Sequence, residues 1–179
     1  MSDDQRVLET PRLVLRRIST DDAAFMLELL NDPAFLQLIG DRGVRTLEDA
    51  RAYILSGPVA SYARFGFGLN LVTLAGLGAP IGICGLLQRD TLEDPDIGFA
   101  LLPAFRGQGY AIEAAAAVME YGKRAFALER IVAVLSPGNT GSRRLLLQLG
   151  MRFERMVRLA EGGPELELMA WLAPSPTLP

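Results

Sequence analysis

A chain of 179 residues, half of them hydrophobic, can bury a sizeable core within one domain of ordinary size. A net charge of −3 is not that of a general nucleic-acid binder, and the lack of any histidine removes a Ser-His-Asp triad, a Cys-His pair and most zinc sites. The one cysteine, Cys84, permits no intramolecular disulfide, which suits a reducing, cytoplasmic setting.

No basic segment followed by an apolar run opens the chain, and no apolar stretch reaches membrane-spanning length, so neither a secretory signal nor a membrane partner is expected. Arg12 to Ile18 alternates as a strand does. Thr20-Asp21-Asp22 reads as a helix start, and the helix runs to about Asn31, where Asn31-Asp32-Pro33 breaks it. Thr46-Leu47-Glu48-Asp49 caps another helix, ended by Ser56-Gly57-Pro58. Two strands follow, near Phe67 to Leu74 and Ile81 to Leu87, with a turn at Gly76 to Pro80 between them. After a polar turn, Asp96 to Leu102 is apolar enough for a central strand and is halted by Pro103. The glycine-rich turn Arg106-Gly107-Gln108-Gly109 then opens a long helix to about Ala125, whose Ala114 to Ala117 run lets it lie close to a sheet. Ile131 to Leu135 is a strand and Thr140 to Leu149 a helix closed by Gly150. Two last strands lie near Met151 to Leu159 and Leu166 to Leu172, and the tail from Ala173 to Pro179 is expected to fray. No repeat or domain boundary interrupts the pattern, so one domain with a core of residues 8–172 is expected.

Chemistry concentrates at two places. In Leu102 to Ala111 a strand leads through Gly107 and Gly109 into a helix. Free backbone N–H groups at a helix start form an anion site, and glycines let a phosphate come close. Ile112 stands where the dinucleotide fingerprint needs its third glycine, and no Gly-Lys-Ser/Thr follows, so neither of those nucleotide motifs is present. Read locally, the segment is equally an ordinary tight turn. The second place is Asn139-Thr140-Gly141-Ser142-Arg143-Arg144, ending at Gly150-Met151, where capping residues are followed by arginines that suit either solvent or a phosphate. No cluster of metal ligands is evident.

Together these segments resemble the GNAT N-acetyltransferase superfamily over nearly the whole chain, and are most similar to its RimJ/RimL-like branch of ribosomal-protein N-terminal acetyltransferases. Glu9 to Arg16 looks like that branch's first strand and Asp96-Ile97-Gly98-Phe99 like its fourth. Arg106 to Ala111 matches the Gln/Arg-x-x-Gly-x-Gly/Ala signature, and Glu113-Ala114 continues the branch's version. Asn139, Ser142, Arg144 and Gly150 fall at its Asn-x-x-Ser-x-Arg…Gly spacing. The resemblance implies an α/β (α+β) GNAT fold: a mixed, mostly antiparallel sheet of about seven strands with about four helices, splayed between strands 4 and 5.

It also implies acetyl-CoA as cosubstrate and a primary amine as acceptor, a peptide N-terminus or a small amine. Phe99, Ala100 and Leu101 would pair with the pantetheine arm. The N–H groups of Arg106, Gly107, Gln108, Gly109, Tyr110 and Ala111 would hold the pyrophosphate. Asn139 would hydrogen-bond the pantetheine, Ser142 would face the thioester sulfur, and Arg144 would reach a CoA phosphate or solvent. Asp96, at the entry to the cleft, is the candidate base, acting through water; it reads equally as a turn acid or sheet-edge charge. Leu146 stands where many members carry a tyrosine, which removes a phenolic acid at that position. Phe35 to Arg45 and Ser56 to Phe67 are expected to line the acceptor side. A non-catalytic acyl-CoA sensor and a different phosphate-ligand enzyme are the competing readings, and monomer and homodimer are equally open.

Overall fold

The computed structural model describes residues 5–173, so the expected fraying beyond Ala173 lies outside the described residues. Eight strands form one sheet in the order β1-β2-β3-β4-β5-β6-β8-β7. They are β1 (Arg6–Glu9), β2 (Leu13–Arg17), β3 (Leu69–Leu74), β4 (Pro80–Leu87), β5 (Asp96–Leu101), β6 (Arg130–Leu135), β7 (Arg152–Val157) and β8 (Leu166–Leu172). All neighbours are antiparallel except β5 and β6, which run parallel and share the single register pair Asp96↔Val132. Beyond that pair the two strands part, leaving the β6-facing edge of β5 without a ladder. The mixed, mostly antiparallel sheet with helices that the resemblance implies is therefore present. The short β1, unforeseen in the sequence, adds an eighth strand and makes β5 and β6 the splayed pair.

Helices cover both faces. On one, α5 (Tyr110–Phe126) buries Ala114, Ala115, Val118, Met119 and Gly122, a stripe at helical spacing. A Cβ on Gly122 would come within 2.9 Å of Leu86, so the glycine lets the helix axis settle onto β4. Beside it, α6 (Thr140–Gln148) packs Leu146 into the same core. On the other face, α1 (Ala23–Leu30) and α3 (Leu47–Ile54) bury Met26, Leu29, Leu30 and Ile54 against Leu69, Leu71 and Ile83.

Two sequence expectations change here. Asn31-Asp32-Pro33 does end α1, but Pro33 also begins α2 (Pro33–Leu38), with Asp32 as N-cap accepting from Phe35 N–H at 3.1 Å. Proline suits a first helical position because its missing N–H would have no partner there. Likewise, Ser56-Gly57-Pro58 does not stop the chain's helical course. Leu55–Val59 widens into a π turn that holds Pro58 buried, and α4 (Ala60–Phe65) continues to Gly66. A local change of hydrogen-bonding pattern is how a helix absorbs a residue without an N–H.

Candidate functional site

The parting of β5 from β6 opens a cavity of about 560 Å³. Its walls are β5, α2, the turn before α5 with the first turn of that helix, and one face of α6. Of the sequence-selected residues, Phe99, Ala100, Leu101, Arg106, Gly107, Gly109, Ala111, Asn139, Ser142 and Arg144 line it. Gln108 and Tyr110 do not: the Gln108 carboxamide donates to the Ala104 carbonyl at 2.7 Å, and the Tyr110 ring lies under the Arg12 guanidinium at 4.6 Å.

The turn before α5 has the form an anion needs. Gly107 and Gly109 take left-handed φ values of 73° and 81°, which a side chain would resist. The first bond of α5 runs from Glu113 N–H to the Gly109 carbonyl, so the N–H groups of Tyr110, Ala111 and Ile112 have no helical acceptor. Those of Gly107, Gln108 and Gly109 are likewise free among the described residues. Arg106 departs from expectation. Its N–H is taken by the Pro103 carbonyl at 3.2 Å, because residues 103–105 close a tight helical turn. Its guanidinium reaches the Leu101 carbonyl at 2.8 Å and pairs with Asp32. Burial pushes the Asp32 carboxyl up, but that pairing and two backbone N–H groups outweigh it and hold it below its ordinary value. Arg106 thus ties the glycine turn to α2.

A second brace comes from the N-terminal strands. Glu113 accepts from Thr10 Oγ at 2.6 Å, from Arg12 N–H at 3.1 Å and from Arg12 Nε at 2.6 Å, while Arg12 Nη1 donates to the Gln108 carbonyl at 3.0 Å. That bond fixes the Gln108 peptide within the turn. Burial raises the Glu113 pKa, yet these donors prevail and lower it. The sign follows: its ionisation stabilises the fold above the ordinary glutamate range and ceases to do so as pH falls through the depressed value. Glu113→Gln is expected to cost about 1–3 kcal/mol and to weaken acetyl-CoA binding several-fold, as read by chemical denaturation and calorimetry. Unchanged binding would show that the brace does not shape the turn.

Across the cavity, the Asn139 side chain caps α6 by accepting from Ser142 N–H at 3.1 Å. Its amide nitrogen and the Ser142 hydroxyl have no partner among the described residues, and Ser142 brings the only hydroxyl to the lining. Arg143 turns away to Glu167 at 3.0 Å, leaving Arg144 at the cavity wall. Leu146 is 1% exposed and faces the core.

Asp96 lies beside the cavity rather than on its wall, at the last point where β5 and β6 still touch. It is 1% exposed; Oδ2 accepts from Arg89 Nε at 2.9 Å and Oδ1 has no partner among the described residues. Burial raises its pKa, and the charges of Arg89 and Arg42 oppose the rise without cancelling it. Cys84 is fully buried, which pushes its thiol pKa far up and leaves it inert.

Of the segment Phe35 to Arg45 expected on the acceptor side, Phe35, Leu38 and Ile39 line the cavity, and Ala34, which the sequence reading did not single out, completes that wall. The segment from Ser56 to Phe67 does not line the cavity at all. Tyr62 there hydrogen-bonds Ile18 N–H and the Leu69 carbonyl, and Phe65 and Phe67 stack.

The model of the acetyltransferase (GNAT) domain matches residues 12–152, which include the cofactor turn, the splayed strands and the α6 cap. The chain belongs to the GNAT acetyltransferase family. YnaD, an uncharacterized N-acetyltransferase of Bacillus subtilis (strain 168), is 31% identical over 82% of this chain and 83% of its own length. An acetyltransferase (GNAT family) from Bacillus anthracis superposes with a TM-score of 0.75 at 26% identity, covering 92% of this chain and 97% of that one. RimL, a ribosomal L7/L12 alpha-N-protein acetyltransferase solved in complex with coenzyme A, shares the fold with a TM-score of 0.77 at 18% identity, over 94% and 98% of the two chains. The protein is thus an acetyl-CoA-dependent acetyltransferase. Among the described residues, no helix is long and apolar enough to cross a membrane.

Proposed function

We propose that this acetyltransferase moves an acetyl group directly from acetyl-CoA to a primary amine, with a protein or peptide N-terminus as the acceptor class, in the manner of the RimJ/RimL-like branch. The observation that carries the reading is the lone cavity hydroxyl, Ser142, at the start of α6 and opposite the unpaired edge of β5. Acetyl-CoA supplies a thioester carbonyl and a thiolate leaving group.

The chain's residues then divide the work. The N–H groups of residues 107–111 take the pyrophosphate. Phe99, Ala100 and Leu101 offer the free strand edge to the pantetheine arm, and the Asn139 amide donates to it. Arg144 takes a CoA phosphate. Ser142 Oγ–H donates to the sulfur as negative charge gathers there, helped by the start of α6. The amine nitrogen forms its bond to the acetyl carbon, the C–S bond breaks with its electrons leaving on sulfur, and the proton lost by the ammonium passes through water to Asp96 Oδ1.

Acceptor class follows from amine chemistry. At pH 7 an α-amine is roughly a tenth neutral, a lysine amine about once in a few thousand molecules. A site whose base is buried and reached only through water therefore favours the α-amine.

The test is CoA-thiol release at saturating acetyl-CoA across Ala- and Ser-starting peptides, polyamines, aminoglycosides and free amino acids. Peptides are expected to release thiol, and Ser142→Ala to lower kcat about tenfold to a hundredfold. Arg89→Met removes a cation that lowers the Asp96 pKa, so the acidic limb of the pH–kcat profile is expected to move to higher pH. A limb that stays in place would remove Asp96 as base. Release with polyamines or aminoglycosides alone would reassign the acceptor.

A further inference from the structure

Helix α2 is held at both ends by the two strands that part. At its start, Asp32 pairs with Arg106, and Arg106 Nε donates to the carbonyl of Leu101, the last residue of β5, at 2.8 Å. At its end, the Leu38 carbonyl accepts from Ser136 Oγ at 2.9 Å, and Ser136 directly follows the last residue of β6. The strands are paired only near their starts, at Asp96 and Val132, so these two ties lie at the open end of the cleft. Six residues of helix span about 9 Å at 1.5 Å per residue, roughly twice the ordinary spacing of paired strands. Helix α2 therefore lies across the wide end of the cleft and is fixed there from both sides.

The face it turns to the cavity is apolar. Ala34, Phe35, Leu38 and Ile39 line it, a spacing that puts all four on one side of a helix. Phe35 is anchored in the core beneath and is 4% exposed. Leu38 and Ile39 belong to no hydrophobic core among the described residues, and Ile39 is 40% exposed. Two branched aliphatic side chains on a helix tied at both ends make a preformed apolar surface. The roles assigned to the glycine turn, the β5 edge and α6 leave this wall unused.

The charges of the cavity agree with its shape. The lining holds Arg106 and Arg144 and no carboxylate. Asp32 is taken by Arg106, and Asp96 lies beside the wall with Arg89 on one oxygen. A second positive charge on the acceptor would shed water at this wall and meet no counter-ion, which costs binding. An apolar group gains by the same move.

We infer that α2 selects the acceptor: the reactive amine carries an uncharged, apolar side chain beside it, and Leu38 and Ile39 receive that side chain. This rests on the peptide N-terminus reading above and narrows it. The side chain belongs to the first or the second residue of the peptide.

Two arms of matched peptide amides separate these positions. One compares Leu-Ala-Gly-Gly with Asn-Ala-Gly-Gly and Arg-Ala-Gly-Gly; the other compares Ala-Leu-Gly-Gly with Ala-Asn-Gly-Gly and Ala-Arg-Gly-Gly. The full chain is assayed for thiol release at saturating acetyl-CoA. In at least one arm the leucine peptide is expected to lead both others in kcat/KM by roughly tenfold to a hundredfold, carried mainly by KM. Ile39→Asn, at a half-exposed position outside the cores, is expected to cut that lead by about fivefold or more and to leave acetyl-CoA affinity unchanged in calorimetry. Asparagine or arginine peptides that match the leucine peptide in both arms overturn the apolar subsite and leave the transferase intact. A lead that persists in Ile39→Asn, or a loss of acetyl-CoA affinity in that variant, overturns the assignment of α2 to the acceptor. No thiol release with any peptide overturns the peptide reading and this inference together.

Discussion

Gly109→Val is expected to weaken acetyl-CoA binding by a hundredfold or more in calorimetry while the protein still folds. Three effects coincide at this residue. Its φ of 81° lies in the left-handed region, where a side chain costs roughly 1–2 kcal/mol and a β-branched one more. A Cβ would stand 3.2 Å from Arg12 Nη2, next to the nitrogen that donates to the Gln108 carbonyl. The valine methyls would enter the space where a phosphate approaches the free N–H groups of the turn. Gly162→Ala is the control. It has a comparable φ of 70° and open space around it, in the β7–β8 connection far from the cavity. It should lose part of that stability, the share that comes from left-handed backbone strain without the β-branch, and keep the wild-type affinity. If Gly109→Val bound acetyl-CoA normally, the turn would not be the pyrophosphate site, and the cavity roles proposed above would fall with it.

Gly85→Ala is expected to cost about 3 kcal/mol or more, a large share of the roughly 5–15 kcal/mol that holds a domain folded, and so to lower the melting temperature markedly. Gly85 sits in the middle of β4, between Leu69 of β3 and Gly98 of β5. A Cβ there would overlap the Gly68 carbonyl oxygen and come within 2.7 Å of Leu69 Cα. Those are backbone atoms of a paired strand and cannot swing aside as a side-chain tip can. The sheet would have to part at β3–β4, and β5, which forms one side of the cavity, is carried on β4. Thermal melts and soluble yield read the effect. Gly57→Ala gives the opposite expectation, since that glycine has helical surroundings and nothing within 4 Å of a Cβ. It should gain about 0.4–1 kcal/mol by restricting the unfolded chain. A Gly85→Ala protein with wild-type melting would mean that β3 and β4 lie farther apart than the structure places them.

The braces around the cofactor turn connect the two halves of the site. Arg12 and Glu113 hold it from the N-terminal strands, and Arg106 holds it from α2 through Asp32. The α2 wall and the glycine turn before α5 are therefore mechanically linked, and Asp32 serves both as N-cap and as ion-pair partner. A hydrogen-bonded charge pair of this kind fixes position more than it adds stability.

The local grammar of the chain was sufficient for much of the architecture. Thr46 with Asp49 forms the capping box its spacing announces, Gly109 opens α5, Asn139 caps α6, and strands lie close to where the apolar runs predicted them. These signals reside in backbone sterics and hydrogen bonds reaching only a few residues, so adjacent side chains carry them. Pro33 and Pro58 misled for the same reason. Each forbids one N–H bond, and only the surrounding structure decided that a helix would begin at the first and widen around the second. The sequence by itself determined the fold family, the glycine turn and the capping of α6. Tertiary structure alone decided that Arg106 would serve Asp32, 74 positions away, that Glu113 would grip Arg12 across 101, and that Asp96 would be sealed beside Arg89 at the point where β5 leaves β6. Contacts of that range depend on the order in which strands join the sheet, and burial sets the charge state of each partner only once that sheet has closed.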